Sequence, residues 1–255
     1  MLVEVPHAGL AIPDGLEATL AVPRDAVLRD SDLYVDRIWE QAPRHGATLL
    51  VANVSRYVVD LNRAPDDVDR ETVPDHPAPR PTQARGVVWR ITTDGRPALR
   101  APIGYAELGD RLARFHAPYH RTLRHALDEL RARFGYVILV AAHSMPSTSR
   151  DGATRRADVV PGTRGRTSAD PRVIDAVERH FRAAGLTVRH DDPYRGGWTT
   201  GSYGKPRDGV HAIQIELNRA LYVDESTCRP KDAELAWMRT LSATLVDRLG
   251  SLDLR

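Results

Sequence analysis

The chain has 255 residues, 42% hydrophobic and 27% charged, enough to bury a sizeable core in one soluble globular domain. Its 36 Lys and Arg are nearly balanced by 34 Asp and Glu, and the arginines are scattered among acids, so neither nucleic acid nor a membrane surface is an expected partner. No apolar run reaches the roughly 20 residues of a membrane helix, no secretory signal precedes the first strand-like segment, and the single cysteine, Cys228, excludes an internal disulfide, so a cytoplasmic location is expected.

In chain order, a first strand is expected over 2–5, with His7 just beyond it in "VPHAG". A helix is expected over 30–45, opened by the capping residues "DSD" and carrying Leu33, Ile38 and Trp39 toward a core. Strands follow over 47–52 and 56–61, and then 66–102 is a long stretch rich in Pro, Asp and Arg. Residues 105–134 read as one long helix or two, kinked or divided at Pro118. An apolar strand over 136–142 runs into His143, and a Ser-, Thr-, Arg- and Gly-rich loop spans 144–169. The helix over 170–184 starts with "SADP" and stops at Gly185. A short strand over 186–189, the loop "YRGGWTTGSYG" within 191–208, a strand over 210–217 and an amphipathic helix over 231–249 complete the chain. Several strands are Val-, Ile- and Leu-rich with little alternation, as in sheets covered on both faces. Strands alternating with helices throughout predict a single α/β domain over 1–255 with a mostly parallel or mixed sheet. No heptads or exposed apolar stripe indicate an oligomeric state.

Two histidines at the ends of apolar strands, His7 and His143, point to one cleft at the carboxyl edge of the sheet. Imidazole is the commonest metal ligand, and a catalytic zinc site takes three protein ligands, so a carboxylate or a third histidine should join them. In "SRYVVDLNR" a strand would put Arg56, Val58, Asp60 and Asn62 on one face; Arg56 then either pairs with Asp60 or meets a charged ligand. Arg63, beside Asn62, is placed to grip an anion such as a carboxylate. Glu216 lies among Ile and Leu in "GVHAIQIELNRALYVDE", where burial should raise its pKa and suit it to act as a general base.

"VPHAGLAIP", "DSDLYVDRIW", "SRYVVDLNR", "AAHS" and "GVHAIQIELNRALYVDE" occur in the order and approximate spacing of the N-formylglutamate amidohydrolases, deformylases of histidine breakdown, which the chain therefore resembles from about residue 3 to residue 225. The resemblance implies a three-layer α/β/α sandwich with a mixed, mostly parallel sheet, of the phosphorylase/hydrolase-like, zinc carboxypeptidase-like type. It implies zinc, or another divalent metal, held by His7, His143 and a third ligand. Zinc carboxypeptidases supply a glutamate three residues after the first histidine; Leu10 stands there and cannot bind. Asp32 is the substitute expected from the family motif, ahead of Asp30 and Asp36.

The implied reaction is hydrolysis of the formamide bond of N-formyl-L-glutamate, or of a related N-acyl amino acid, with Glu216 as base and Arg63 steadying the oxyanion or a substrate carboxylate. Arg56, Asn62, Arg195, Thr200 and Tyr203 are the expected substrate-binding residues, whereas His120 and His211 read as supporting or packing residues. Two other readings use the same residues. One is a carboxypeptidase or peptidoglycan-type amidase on the same scaffold, and the other a non-catalytic protein that binds an acidic ligand.

Overall fold

The computed structural model describes residues 1–81, 83–149 and 152–254. The chain packs as two compact units, one of Met1–Val5, Asp32–Val51 and Leu123–Arg255, the other of Pro6–Ser31 and Ala52–Thr122. Among the described residues, no helix is long and apolar enough to cross a membrane.

The first unit is built on a five-stranded sheet of β1 (Leu2–Val5), β2 (Thr48–Val51), β3 (Val137–Met145), β4 (Val159–Gly162) and β5 (Val210–Asn218), in the order β2-β1-β3-β5-β4. β1 pairs in parallel with β2 and β3, and β3 with β5; only β4 is antiparallel to its neighbour. This is the expected α/β class with a mixed, mostly parallel sheet. Every residue of β3 and of β5 is buried, which is why β3 is continuously apolar from Val137 to Ala142, and β5 keeps apolar residues between its buried His211, Gln214 and Glu216. β3 outlasts its apolar stretch, so His143 lies inside a strand rather than behind it, while Glu216 lies inside β5 as expected.

Helix α2 (Val35–Trp39) packs against β1 and β3, α5 (Pro171–Ala183) against β4, and α7 (Asp232–Gly250) against α2 and α5. Asp170 caps α5 by accepting the Arg172 N–H at 2.8 Å, and Gly185 beyond its end has φ +82°. β6 (Val223–Asp224) and β7 (Arg229–Pro230) form a separate two-stranded ribbon.

The second unit has little regular structure. It holds α1 (Arg24–Asp30), α3 (Tyr105–Arg111) and a core from the loop region, with Val68, Val73, Val87, Val88 and Trp89 all buried. Arg111, fully buried, donates to the Val58 carbonyl at 3.2 Å and pairs with Glu107 at 2.6 Å, satisfying polar groups that a sheet would otherwise serve.

Five expectations about local structure change, the first in the loop expected within 191–208, which contains a helix, Trp198–Tyr203. Residues 30–45 are not one helix: α1 ends at Asp30, Tyr34 takes φ +62°, and α2 starts afresh at Val35. Residues 56–61 are not a strand. Val58 N–H closes a turn on the Ser55 carbonyl at 2.9 Å and Asp60 N–H bonds to the Val87 carbonyl at 2.8 Å, so alternation between two faces does not apply. Residues 186–189 supply only an isolated bridge, Val188 to Val159. Conversely, the loop expected over 144–169 contains β4, an edge strand that tolerates Pro161; Arg150 and Asp151 of that loop, and Thr82 of 66–102, lie outside the described residues. The long helix after Tyr105 is interrupted just before Pro118, by a π-turn at Leu112–His116 ahead of α4 (Ala117–Phe134). A wider turn accommodates the N–H that proline lacks.

Candidate metal centre

His7 stands two residues beyond β1, Asp32 two residues beyond α1, and His143 within β3. One ligand atom from each of the three lies within 4.8 Å of the other two, and all three residues are buried. Asp30 is held by the Tyr57 hydroxyl and by Thr93, whose N–H lies 2.9 Å away, so it is committed elsewhere. Neither Asp30 nor Asp36 belongs to the group. Asp32 is not a helix cap either: Tyr34 occupies the N-cap position of α2.

Each histidine has a carboxylate partner. His143 Nδ1 lies 2.9 Å from Asp32 Oδ2. Burial pulls the His143 pKa down, but the Asp32 hydrogen bond and the charges of Glu216, Asp32 and Glu4 outweigh it and raise it overall. His7 Nε2 lies 2.8 Å from Asp60 Oδ1, and Asp60 also takes the Asn62 N–H at 2.9 Å, the Arg56 guanidinium at 2.9 Å and the Trp89 indole N–H at 3.0 Å. Burial alone would raise the Asp60 pKa; His7, Arg56 and Arg63 instead hold it well below the usual carboxylate range.

Glu216 pairs with His143 in the β3–β5 register. The parallel register and the two-residue side-chain period put Glu4, Ala141, His143, Gln214 and Glu216 on one face of the sheet. Glu216 is buried, and its Oε1 accepts the Gln214 side-chain amide at 2.9 Å, while Gln214 Oε1 accepts the Gly197 N–H at 2.8 Å. That bond ties the 191–197 loop to the same strand, just ahead of α6 (Trp198–Tyr203). Gly162 on β4 is needed for this fit: a Cβ there would come within 2.6 Å of the Gly196 nitrogen.

Thr200, in α6, is fully buried, and its Oγ1 has no hydrogen-bond partner among the described residues. Tyr203 is buried beneath Arg124, whose guanidinium carbon is 5.5 Å from the ring centre. Burial, with a smaller push from Glu4, raises the Tyr203 hydroxyl pKa to about 12. Arg195 is exposed and contributes its carbonyl to the Arg164 N–H.

In the second unit Arg56 lies 4.4 Å over the Trp89 ring as well as on Asp60. Arg63 is half-buried, and its carbonyl is 3.0 Å from His116 Nε2, while the Leu61 carbonyl is 2.9 Å from His120 Nε2. His120 is thus a support for the Leu61–Arg63 turn, and His211, which accepts the Asp170 N–H at 3.1 Å, supports the start of α5.

The sequence model of the N-formylglutamate amidohydrolase family matches residues 1–223, a span that contains every residue of this centre. The chain belongs to that family. Among relatives of the N-formylglutamate amidohydrolases, it is 35% identical over 244 residues to an N-formylglutamate deformylase of Pseudomonas aeruginosa, covering 92% of this chain and 86% of that one. A second N-formylglutamate deformylase, from Pseudomonas putida, is 32% identical over 237 residues, covering 89% and 82%. The crystal structure of an N-formylglutamate amidohydrolase from Ralstonia eutropha JMP134 superposes with a TM-score of 0.89 at 30% identity, over 97% of this chain and 91% of that one.

Sequence reasoning on this member of the family missed three contributors. Asp60 was legible only as a partner of Arg56, not of His7. Glu4 carried a signal, a carboxylate inside the apolar run "LVEV", that went unused. Arg219, buried with its Nε 3.4 Å from Ser144 Oγ, follows directly on the strand that bears Glu216.

Proposed function

We propose that this chain is a metal-dependent amidohydrolase that cleaves the formamide bond of N-formyl-L-glutamate, or of a closely related N-acyl amino acid, to give formate and glutamate. The observation that carries this reading is the convergence of His7, Asp32 and His143 in a chain of the N-formylglutamate amidohydrolase family. Two imidazoles and one carboxylate are the donor set of catalytic zinc sites with an open position, and a carboxylate already orients one of the imidazoles, so the residues fit the metal. Zinc is the proposed ion, with manganese or iron as alternatives. When bound, the ion supplies Lewis acidity toward the formyl oxygen and toward a water molecule.

Glu216, beside His143, is proposed to take a proton from the attacking water and pass it to the departing nitrogen as the C–N bond breaks. Arg63 and Arg56 bring the positive charge suited to the substrate carboxylate or the developing oxyanion. Asn62, Thr200, Tyr203 and Arg195 are proposed contacts for the amino-acid end, and the buried, unbonded hydroxyl of Thr200 supports its inclusion.

The test combines metal analysis of the purified protein with formate release from N-formyl-L-glutamate before and after chelation. The expected result is bound metal, and activity that disappears with chelator and returns with zinc. Release that ignores chelation, or no release from N-formyl-glutamate, N-formyl-aspartate or N-acetyl-glutamate, would sink the reading; cleavage of dipeptides alone would favour a carboxypeptidase.

A further inference from the structure

Most arginines between β4 and the 191–197 loop are matched to an acid. Arg166 pairs with Asp175 and Glu178, Arg172 with Asp170, Arg182 with Glu178 and Arg189 with Asp192. Arg164 has no ion pair among the described residues, yet its side chain is held. Its Nη1 donates to the Gly196 carbonyl at 3.3 Å. A Cβ at Gly201, in α6, would come within 2.9 Å of its Cδ and Nε and 3.1 Å of its Cζ, and one at Gly196 within 3.4 Å of its Cγ. Two glycines thus form a cradle that the guanidinium and its stem fill. The backbone is fixed as well. Arg164 takes φ +54° and donates its N–H to the Arg195 carbonyl at 2.6 Å, while the Thr163 and Gly165 N–H groups on either side donate to the Asp191 carboxylate at 2.7 and 2.5 Å. A left-handed arginine is a costly choice for a position with no task.

Its place in the sheet indicates the task. β4 lies beyond β5, the strand of Glu216, and Arg164 follows two residues after β4 ends at Gly162. Neighbouring strands are roughly 5 Å apart, so this cation starts one strand farther from His143 than the proposed base does. In N-formyl-L-glutamate the α-carboxylate adjoins the carbon that bears the scissile nitrogen, whereas the side-chain carboxylate is the anionic group farthest from it. Thr200, whose buried hydroxyl makes no hydrogen bond among the described residues, lies against Gly196 on the same side as Arg164.

We propose that Arg164, laid in the cradle of Gly196 and Gly201, binds the side-chain carboxylate of the substrate and makes hydrolysis selective for acidic N-acyl amino acids. The inference rests on the reading of the chain as an N-formyl-amino-acid hydrolase. A guanidinium offers a carboxylate two parallel N–H donors, so recognition depends on charge and orientation together.

The test compares N-formyl-L-glutamate with N-formyl-L-glutamine, which keeps the α-carboxylate and the shape of the side chain but not its charge. The wild type should favour the glutamate compound in kcat/KM. Arg164→Asn, an exchange that suits the left-handed backbone, should raise KM for N-formyl-L-glutamate about 10–100-fold, with kcat and the KM for N-formyl-L-glutamine unchanged. Gly201→Ala should raise the same KM with the thermal midpoint level or higher, because its methyl group displaces only a flexible side chain and alanine favours the helix. In the double variant the two effects should not add, since the second change acts on a cradle already empty. Arg166→Asn removes a neighbouring charge and should alter neither KM.

No change in Arg164→Asn, an equal loss on both substrates, full additivity in the double variant, or an equal loss in Arg166→Asn overturns the proposal. If Arg164→Asn does not fold, Gly201→Ala decides by the same comparison of substrates. If the wild type releases formate from neither compound, the hydrolase reading fails instead. Arg164 is then judged by calorimetric binding of L-glutamate against L-glutamine: a preference for glutamate that Arg164→Asn abolishes supports its role, and no preference overturns it.

Discussion

His143 and Glu216 occupy paired positions on adjacent parallel strands, β3 and β5, so their side chains rise from the same face of the sheet at the same level. Glu216→Gln tests what that adjacency is for. The Gln214 side-chain amide, 2.9 Å from Glu216 Oε1, can donate equally to the carbonyl oxygen of a glutamine, so the fold should hold. Formate release should drop by about a hundred-fold or more, with metal content unchanged. Full activity in this variant would remove Glu216 as the base.

Gly9 is fixed by the close approach of two backbone segments. A Cβ at Gly9 would lie 2.3 Å from the Asn53 carbonyl carbon, and the neighbouring Ala11 bridges Val54. Gly9→Ala should therefore destabilise the protein by on the order of 2 kcal/mol or more, because backbone rather than a movable side chain must yield. Denaturant titration measures it, and a midpoint equal to wild type would contradict this packing.

Thr200→Val separates a structural hydroxyl from a substrate contact. Deleting a buried hydroxyl that makes no hydrogen bond removes no native interaction, so the thermal midpoint should stay level or rise. If that hydroxyl meets the substrate, KM for N-formyl-L-glutamate should rise roughly ten-fold, the value of one hydrogen bond. An unchanged KM would exclude Thr200 from the binding residues.

His180 gives a pH-dependent test away from the centre. Its Nε2 lies 2.9 Å from the Leu241 carbonyl, linking α5 to α7. Burial lowers its pKa, opposed by that carbonyl bond and reinforced by Arg248. Below its ordinary value of 6.5, the unfolded state binds a proton that the folded state resists. Its contribution is thus present above that value and is lost as pH falls through the lowered one. His180→Gln keeps a donor for Leu241 and removes the titration. Its urea midpoint should fall less steeply than that of wild type between roughly pH 7 and pH 5. Parallel curves would show that this histidine does not drive acid sensitivity.

The strands that matter most could be read from the chain because each is buried on both faces and so is rich in Val, Ile, Leu and Ala, most plainly in "VILVAA". His7, His143 and Glu216 stood out as polar breaks in such runs. What lay outside that logic was any structure held by side chains rather than by a ladder. Residues 56–61 contain the Val and Tyr of a strand, yet they fold as turns because Asp60 gathers its own neighbours. The His7–Asp60 contact has no periodicity to announce it, since nothing local connects the two positions. β4 was hidden by Pro161 and Gly162, both poor strand formers, which an antiparallel edge accepts.

The placement of β1 between β2 and β3 also sets an order of events. During synthesis Leu2 must wait for Thr48 on one side and for Leu139 on the other. Pairings so distant along the chain are slow to close. A nascent chain therefore holds β1 with one edge unpaired, and His7 just past it, until β3 has left the ribosome. If His7, Asp32 and His143 hold the proposed ion, its loading would be a late step that reports the completion of the sheet.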